Sequence, residues 1–206
     1  MEKQEFLQKV FKLFHKYGIK SVTMDDIAHH LGISKKTLYE WVNDKHELVE
    51  QVLEYTRNCS EKEKQHNKQQ SALEKLFSIY EFVVSIMKDY NPSFDYDLKK
   101  YYPDLYERFK QNRREKMIEG MRLNLIQGIK EGVYRDDLNV EFISKLHLLN
   151  VESLQDSDIF DEHNITPINL FREMFKFYLR AVAKPDKLNL IDKKIKELED
   201  KSDFKI

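Results

Sequence analysis

The stretch GISKKTLYEWVNDKHEL, Gly32 to Leu48, puts two lysines, a threonine, a tyrosine and a tryptophan on a helix too short to bury much surface. Ser34 is a good N-cap for that helix. Lys35, Lys36 and Thr37 then fall in its first turn. Free backbone N–H groups and the positive end of the helix dipole suit an anion there, a phosphate above all. Tyr39 adds a hydroxyl, and Lys45 opens the following helix with another ammonium. A single exposed lysine is usually only solvated, but this ordered set points to a partner outside the chain. Other chemistries lack their residues. There is no glycine-rich phosphate loop, no nucleophile motif and no persuasive carboxylate pair, so neither an enzyme nor a cofactor is expected. His29 and His30 are adjacent and point about 100° apart on a helix, and His147 stands alone between leucines. No Cys/His cluster has zinc spacing, so no metal is expected.

The elements that position this stretch are helices. Phe6, Val10 and Phe14 recur at four-residue steps, joined by Leu7 and Phe11, and that helix ends at Tyr17-Gly18. In SVTMDDIAHHLG, Thr23 caps a second helix and Asp26 completes a capping box, with Ile27, Ala28 and Leu31 as the apolar stripe. Gly32 ends it, and only GIS separates it from the third helix. Asp44, with Glu47 three residues on, caps a fourth helix carrying Leu48, Val49, Val52 and Leu53. Two short helices joined by a glycine turn, the second bearing polar groups, form a helix-turn-helix. Leu38 belongs to its small core with Phe11, Ile27 and Leu31.

The polar run Arg57 to Ser71 reads as a linker or a solvated helix end, which places a domain boundary at 56/57. Beyond it, Leu73, Leu76, Phe77, Tyr80, Val84 and Met87 share one helix face. An aromatic stretch from Tyr90 to Phe109 is punctuated by Pro92 and Pro103, and a long helix then runs to Gly132. VEFISKLHLLNVESL forms another helix. Pro167 opens a helix that is apolar on two sides, one for its own domain and one for a partner subunit. Leu188, Ile191, Ile195 and Leu198 mark a last amphipathic helix. The expected fold is all-α, with about nine to ten helices.

Composition agrees. Of 206 residues, 41% are hydrophobic and 34% charged, with only 5 Gly and 4 Pro, which suits helices around a real core. One cysteine, Cys59, cannot make an intrachain disulfide, which fits a reducing compartment. The N-terminus is not a signal peptide, and no long uncharged apolar run is present, so a cytoplasmic protein with no membrane partner is expected. The formal net charge is −1, and residues 1–56 carry eight lysines against nine acidic residues. Contacts with an anionic polymer must therefore be local, and their salt dependence modest.

The first 56 residues resemble the DNA-binding domain of the TetR family of bacterial transcriptional regulators. The matching residues are Gly18, Thr23, Asp26-Ile27-Ala28, Gly32, Ser34, Thr37-Leu38-Tyr39, Lys45 and Leu48. A weaker match, Gly128 to Ser144, looks like the family's turn before its dimerisation helices. Lys36 stands where a small residue is more usual, and Trp41-Val42 replaces an aromatic pair, so no operator sequence is carried over. The resemblance implies a regulator, most simply a ligand-responsive repressor, that binds a palindromic operator on double-stranded DNA as a homodimer. Two recognition helices about 34 Å apart would read successive major-groove turns. The alternatives are a ligand-independent DNA-binding protein and a helical interaction module that has lost DNA binding.

On that reading the third helix enters the major groove. The DNA-binding candidates are Thr23, Ser34, Lys35, Lys36, Thr37, Tyr39, Trp41 and Lys45. Lys36, Thr37 and Trp41 are the candidate base readers, and Tyr39 and Lys45 hold phosphates. Thr23 does the same unless its hydroxyl serves as a cap, and Trp41 is as readily a core residue. The family further implies that residues 57–206 form a domain for dimerisation and a small-molecule effector. Candidate pocket residues are Tyr80, Met87, Phe94, Tyr96, Tyr101, Tyr102, Tyr106, Phe109, Met117 and Met121, each of which could equally be core. Candidate dimer residues on Val140–Leu154 and Leu170–Val182 are Phe142, Leu146, Leu149, Phe171, Met174, Phe175 and Tyr178, in a four-helix bundle about a two-fold axis.

Overall fold

A computed structural model describes residues 2–66, 69–88, 91–154 and 166–200, without side-chain detail at 57–66, 86 and 88. Among the described residues there are ten α-helices: α1 (Lys3–Tyr17), α2 (Met24–Leu31), α3 (Lys35–Tyr39), α4 (Lys45–His66), α5 (Ala72–Lys88), α6 (Pro92–Tyr101), α7 (Pro103–Lys130), α8 (Val140–Ser153), α9 (Pro167–Val182) and α10 (Leu188–Asp200). A 3-10 turn, Pro185–Lys187, precedes α10. The polar run after Arg57 continues α4 to His66.

Local chemistry sets most of the boundaries. Gly18 and Gly32 end α1 and α2 at φ +82° and +64°, backbone that side-chain-bearing residues rarely adopt. Thr23 and Asp26 form the complete capping box of α2. Asp44 Oδ1 accepts the Glu47 N–H at 2.8 Å and starts α4. The two prolines of the aromatic stretch each open a helix, since a first-turn residue needs no N–H donor. The long helix α7 thus starts at Pro103.

The chain forms two compact units. The first comprises residues 1–69 and 89–113, and the second comprises 70–88 and 114–206. Residues 89–113, which the sequence reading gives to the second domain, pack with the first. In the first unit Phe6, Val10, Phe14, Ile27, Leu38, Leu48 and Val52 are buried together with Phe94, Leu98 and Leu105. Full burial of each such side chain contributes about 1.5–3 kcal/mol. In the second unit α5, α7, α9 and α10 supply Leu76, Tyr80, Leu125, Phe175, Leu179, Ile191 and Ile195 to one core. Tyr134 lies wholly within it, donates its hydroxyl to Asn124 Oδ1 at 3.1 Å, and covers Gly128. Residues 133–135 pair with the end of α9 through Arg135 N–H to Val182 O and Lys184 N–H to Val133 O, at 2.9 and 3.0 Å.

Candidate nucleic-acid interface

α3 owes its place to one side chain and its chemistry to the rest. Leu38 points inward and is fully buried, with Ile27 beneath it. The inward Leu38 turns Lys36 and Tyr39 to solvent, where Tyr39 is half exposed. Ser34 Oγ accepts the Thr37 N–H at 3.0 Å and lies 2.9 Å from Thr37 Oγ1. Of these two hydroxyl hydrogens, one lies between the oxygens and the other can turn outward. Thr37 and Ser34 therefore keep one donor for a partner at the head of the helix.

Three candidates are occupied within the protein. The Thr23 hydroxyl donates to Asp26 Oδ2 at 2.6 Å and accepts the Asp26 N–H at 3.1 Å. Its one hydrogen points at a carboxylate, so the cap excludes the phosphate role. Hydrogen bonds from Thr23 hold the Asp26 carboxyl below its ordinary range. The Trp41 ring packs edge-on against Phe6, with centroids 4.5 Å apart at 67°. That contact places Trp41 with the core rather than at the base edges. Lys35 bridges to Asp25 at 2.5 Å, tying the start of α3 to α2. Lys36 has no such partner among the described residues.

Lys45 is half buried, and burial lowers its affinity for a proton against the opposing pull of Asp97 and Asp26. Its Nζ donates to the Lys20 carbonyl at 3.4 Å. Asp97 is the element that the sequence reading missed. It is buried on α6 and accepts the Lys20 N–H at 2.7 Å, fixing the turn between α1 and α2. Asn91 Nδ2 adds a bond to Lys16 O at 2.8 Å. A carboxylate in the run DYDLKK carries no signal that it will be buried; only the packing of α6 reveals it.

The candidate pocket residues divide between the two units. Phe94, Tyr102, Tyr106 and Phe109 pack against the core of the first unit, and Phe94 meets Phe11 edge-on at 6.1 Å. Tyr96 and Tyr101, on the same unit, are exposed. Tyr80, Met87, Met117 and Met121 belong to the second unit, where Tyr80 stacks on Phe171 and Phe175 with centroids 5.4 and 4.2 Å away. A cavity of about 10 Å³ lies beside this stack, bounded by Tyr80, Arg172, Phe175, Lys176 and Glu199. That is room for a single water.

The candidate dimer residues also divide. Phe142, Leu146 and Leu149 of α8 are exposed. Phe171, Phe175 and Tyr178 instead face the core of their own unit, with Met174 packed beside them. The large apolar residue that α9 turns outward is Phe177, 73% exposed, next in sequence to the candidate Tyr178. His147 packs edge-on against Tyr178 at 5.1 Å, and burial pushes its imidazole down to about 4.

The fold and interface define an all-α protein with a helix-turn-helix head. The family model of the tetR bacterial regulatory proteins matches residues 7–52, from α1 into α4. Over 106 residues the chain is 32% identical to the HTH-type transcriptional regulator YvaF of Bacillus subtilis (strain 168). That match covers 50% of this chain and 55% of YvaF, about half the length of each. A TetR-family regulator of Marinobacter aquaeolei VT8 shares the fold at a TM-score of 0.70 and 17% identity, over 96% of this chain and 98% of that one. CprB of Streptomyces coelicolor, solved with its operator sequence, does so at 0.63 and 18%, over 98% and 100%. Residues 7–52 thus match the DNA-binding head of the tetR bacterial regulatory proteins, and the chain as a whole shares the fold of the solved TetR-family structures.

Proposed function

We propose that the protein is a cytoplasmic transcriptional regulator that binds a palindromic operator as a homodimer and represses until a small molecule releases it. The observation that carries the reading is α3. Its one apolar residue, Leu38, is buried, and Lys36, Thr37 and Tyr39 are left for a partner. Lys36 and Thr37 are the base-reading candidates, and Tyr39 and Lys45 hold phosphates on either side. CprB's operator complex supports the same use of the fold. The exposed Phe142, Leu146 and Leu149 of α8 and Phe177 of α9 support dimerisation through these two helices.

Among the described residues, no helix is long and apolar enough to cross a membrane. A ligand-independent regulator is the second reading, favoured by the close packing around Tyr80: an effector would have to part that stack. The test is genomic footprinting of the purified protein at two salt concentrations, beside a Lys36→Ala/Tyr39→Ala variant. A few sharp palindromic sites that vanish in the variant are expected. Diffuse binding, or sites unchanged in the variant, would refute the role given to α3.

A further inference from the structure

Two kinds of contact hold several cations of the first unit. Lys9, Lys35 and Arg108 lie against carboxylates, those of Glu5, Asp25 and Glu50. Lys20 and Lys100 end instead on tyrosines. Lys20 Nζ donates to the Tyr101 hydroxyl at 2.8 Å and lies 4.7 Å from its ring centroid. Lys100 Nζ donates to the Tyr96 hydroxyl at 2.8 Å and lies 5.1 and 5.5 Å from the Tyr96 and Tyr101 centroids. A phenol and its ring hold an ammonium in place without neutralising it. Both lysines and both tyrosines are exposed, so the charge faces solvent in an ordered position.

This cluster continues the candidate interface. Lys20 lies three residues before Thr23, the cap of α2, and its carbonyl accepts Lys45 Nζ. Its N–H is pinned by Asp97, which is itself buried. Lys45, Lys20 and Lys100 are therefore joined contact by contact within one unit, through the Lys20 carbonyl and the Tyr101 ring, and Lys36 lies on α3 of the same unit. The head needs such cations. Residues 1–56 are net acidic by one charge, while phosphate neutralisation supplies most of the non-specific affinity for DNA.

We propose that Lys20 and Lys100, held by Tyr101 and Tyr96, form a second surface that grips backbone phosphates of double-stranded DNA beside the bases read by α3. The inference rests on the regulator reading and extends it to α6. Its signature is sequence-neutral, because phosphate contacts position a protein without reading bases.

The test uses the full chain and two duplexes of equal length, one enriched from genomic DNA by selection and one of random sequence. Dissociation constants are measured by fluorescence anisotropy between about 50 and 200 mM KCl. In Lys20→Ala/Lys100→Ala the log–log salt slope should become shallower by about 0.9 per lost contact, roughly 2 per subunit. The loss should be equal on both duplexes, leaving their affinity ratio unchanged. Lys20→Arg/Lys100→Arg should restore the slope. Lys130→Ala/Lys196→Ala, with the same charge change on exposed lysines of the second unit, should leave it as in the wild type. An unaltered slope in Lys20→Ala/Lys100→Ala, or an equal change in the Lys130→Ala/Lys196→Ala control, overturns the surface while the regulator reading stands. A change in the ratio alone overturns the phosphate role. Wild-type protein that binds neither duplex overturns both readings.

Discussion

Gly120 and Gly128 lie on the same helix, and replacing each by alanine should move stability in opposite directions. In an exposed helix interior, Gly→Ala gains about 1 kcal/mol. A Cβ at Gly120 meets nothing within 4 Å, so that substitution should show the gain. A Cβ at Gly128 would lie 2.0 Å from Tyr134 Cδ2 and 2.2 Å from Cε2. The ring cannot stay. Tyr134 is fully buried and bonded to Asn124, which in turn donates to the Ala72 carbonyl at 2.7 Å. Displacing it gives up roughly 3 kcal/mol of aromatic burial and hydrogen bonding. Against the propensity gain, Gly128→Ala should lose about 2 kcal/mol. In a thermal melt followed by circular dichroism that is a fall of roughly 4–8 °C for a chain of this size. In a Tyr134→Ala background the clash is gone, and Gly128→Ala should become neutral or stabilising. Gly128→Ala as stable as the wild type, or equally harmful with and without the tyrosine ring, would refute the packing argument.

Three further outcomes follow from the same contacts. Trp41→Ala should cost about 3 kcal/mol through the lost Phe6 contact and leave operator preference unchanged; a changed base preference in a binding-site selection would return Trp41 to the base readers. His147 is neutral in the fold, with its imidazole lowered from the ordinary 6.5 to about 4. The unfolded chain therefore takes up the proton first as pH falls. Stability should be complete above about 6.5 and decline toward pH 4, by up to about 3 kcal/mol. A His147→Gln variant should flatten that decline in pH-dependent denaturation, and an unchanged profile would refute it. Phe177→Glu should leave the fold intact and shift sedimentation toward the monomer, whereas Phe175→Glu should unfold the second unit. A folded dimer of Phe177→Glu would remove α9's outward face from the interface.

Much of the head is determined by the sequence alone, because its signals are local. Gly18, Gly32, the Thr23–Asp26 box and the Asp44 cap act through backbone groups within a few residues, so their spacing states where helices begin and end. The inward turn of Leu38 follows from helical periodicity, and with it the outward turn of Lys36 and Tyr39. What the tertiary structure decided depends on contacts far apart in the chain. Phe94, Tyr102, Tyr106 and Phe109 look like a pocket lining, yet they pack against the core of the first unit, because residue type says that a ring will be covered and not by what. Asp97 became the anchor of the Lys20 turn through a bond spanning 77 residues. On α9 the sequence shows two apolar faces without saying which is inward. Packing on Tyr80 buried Phe171 and Phe175 and left Phe177 in solvent. Gly128 is a helix defect in sequence, and it becomes the seat of a tyrosine ring only once the chain has turned back upon it.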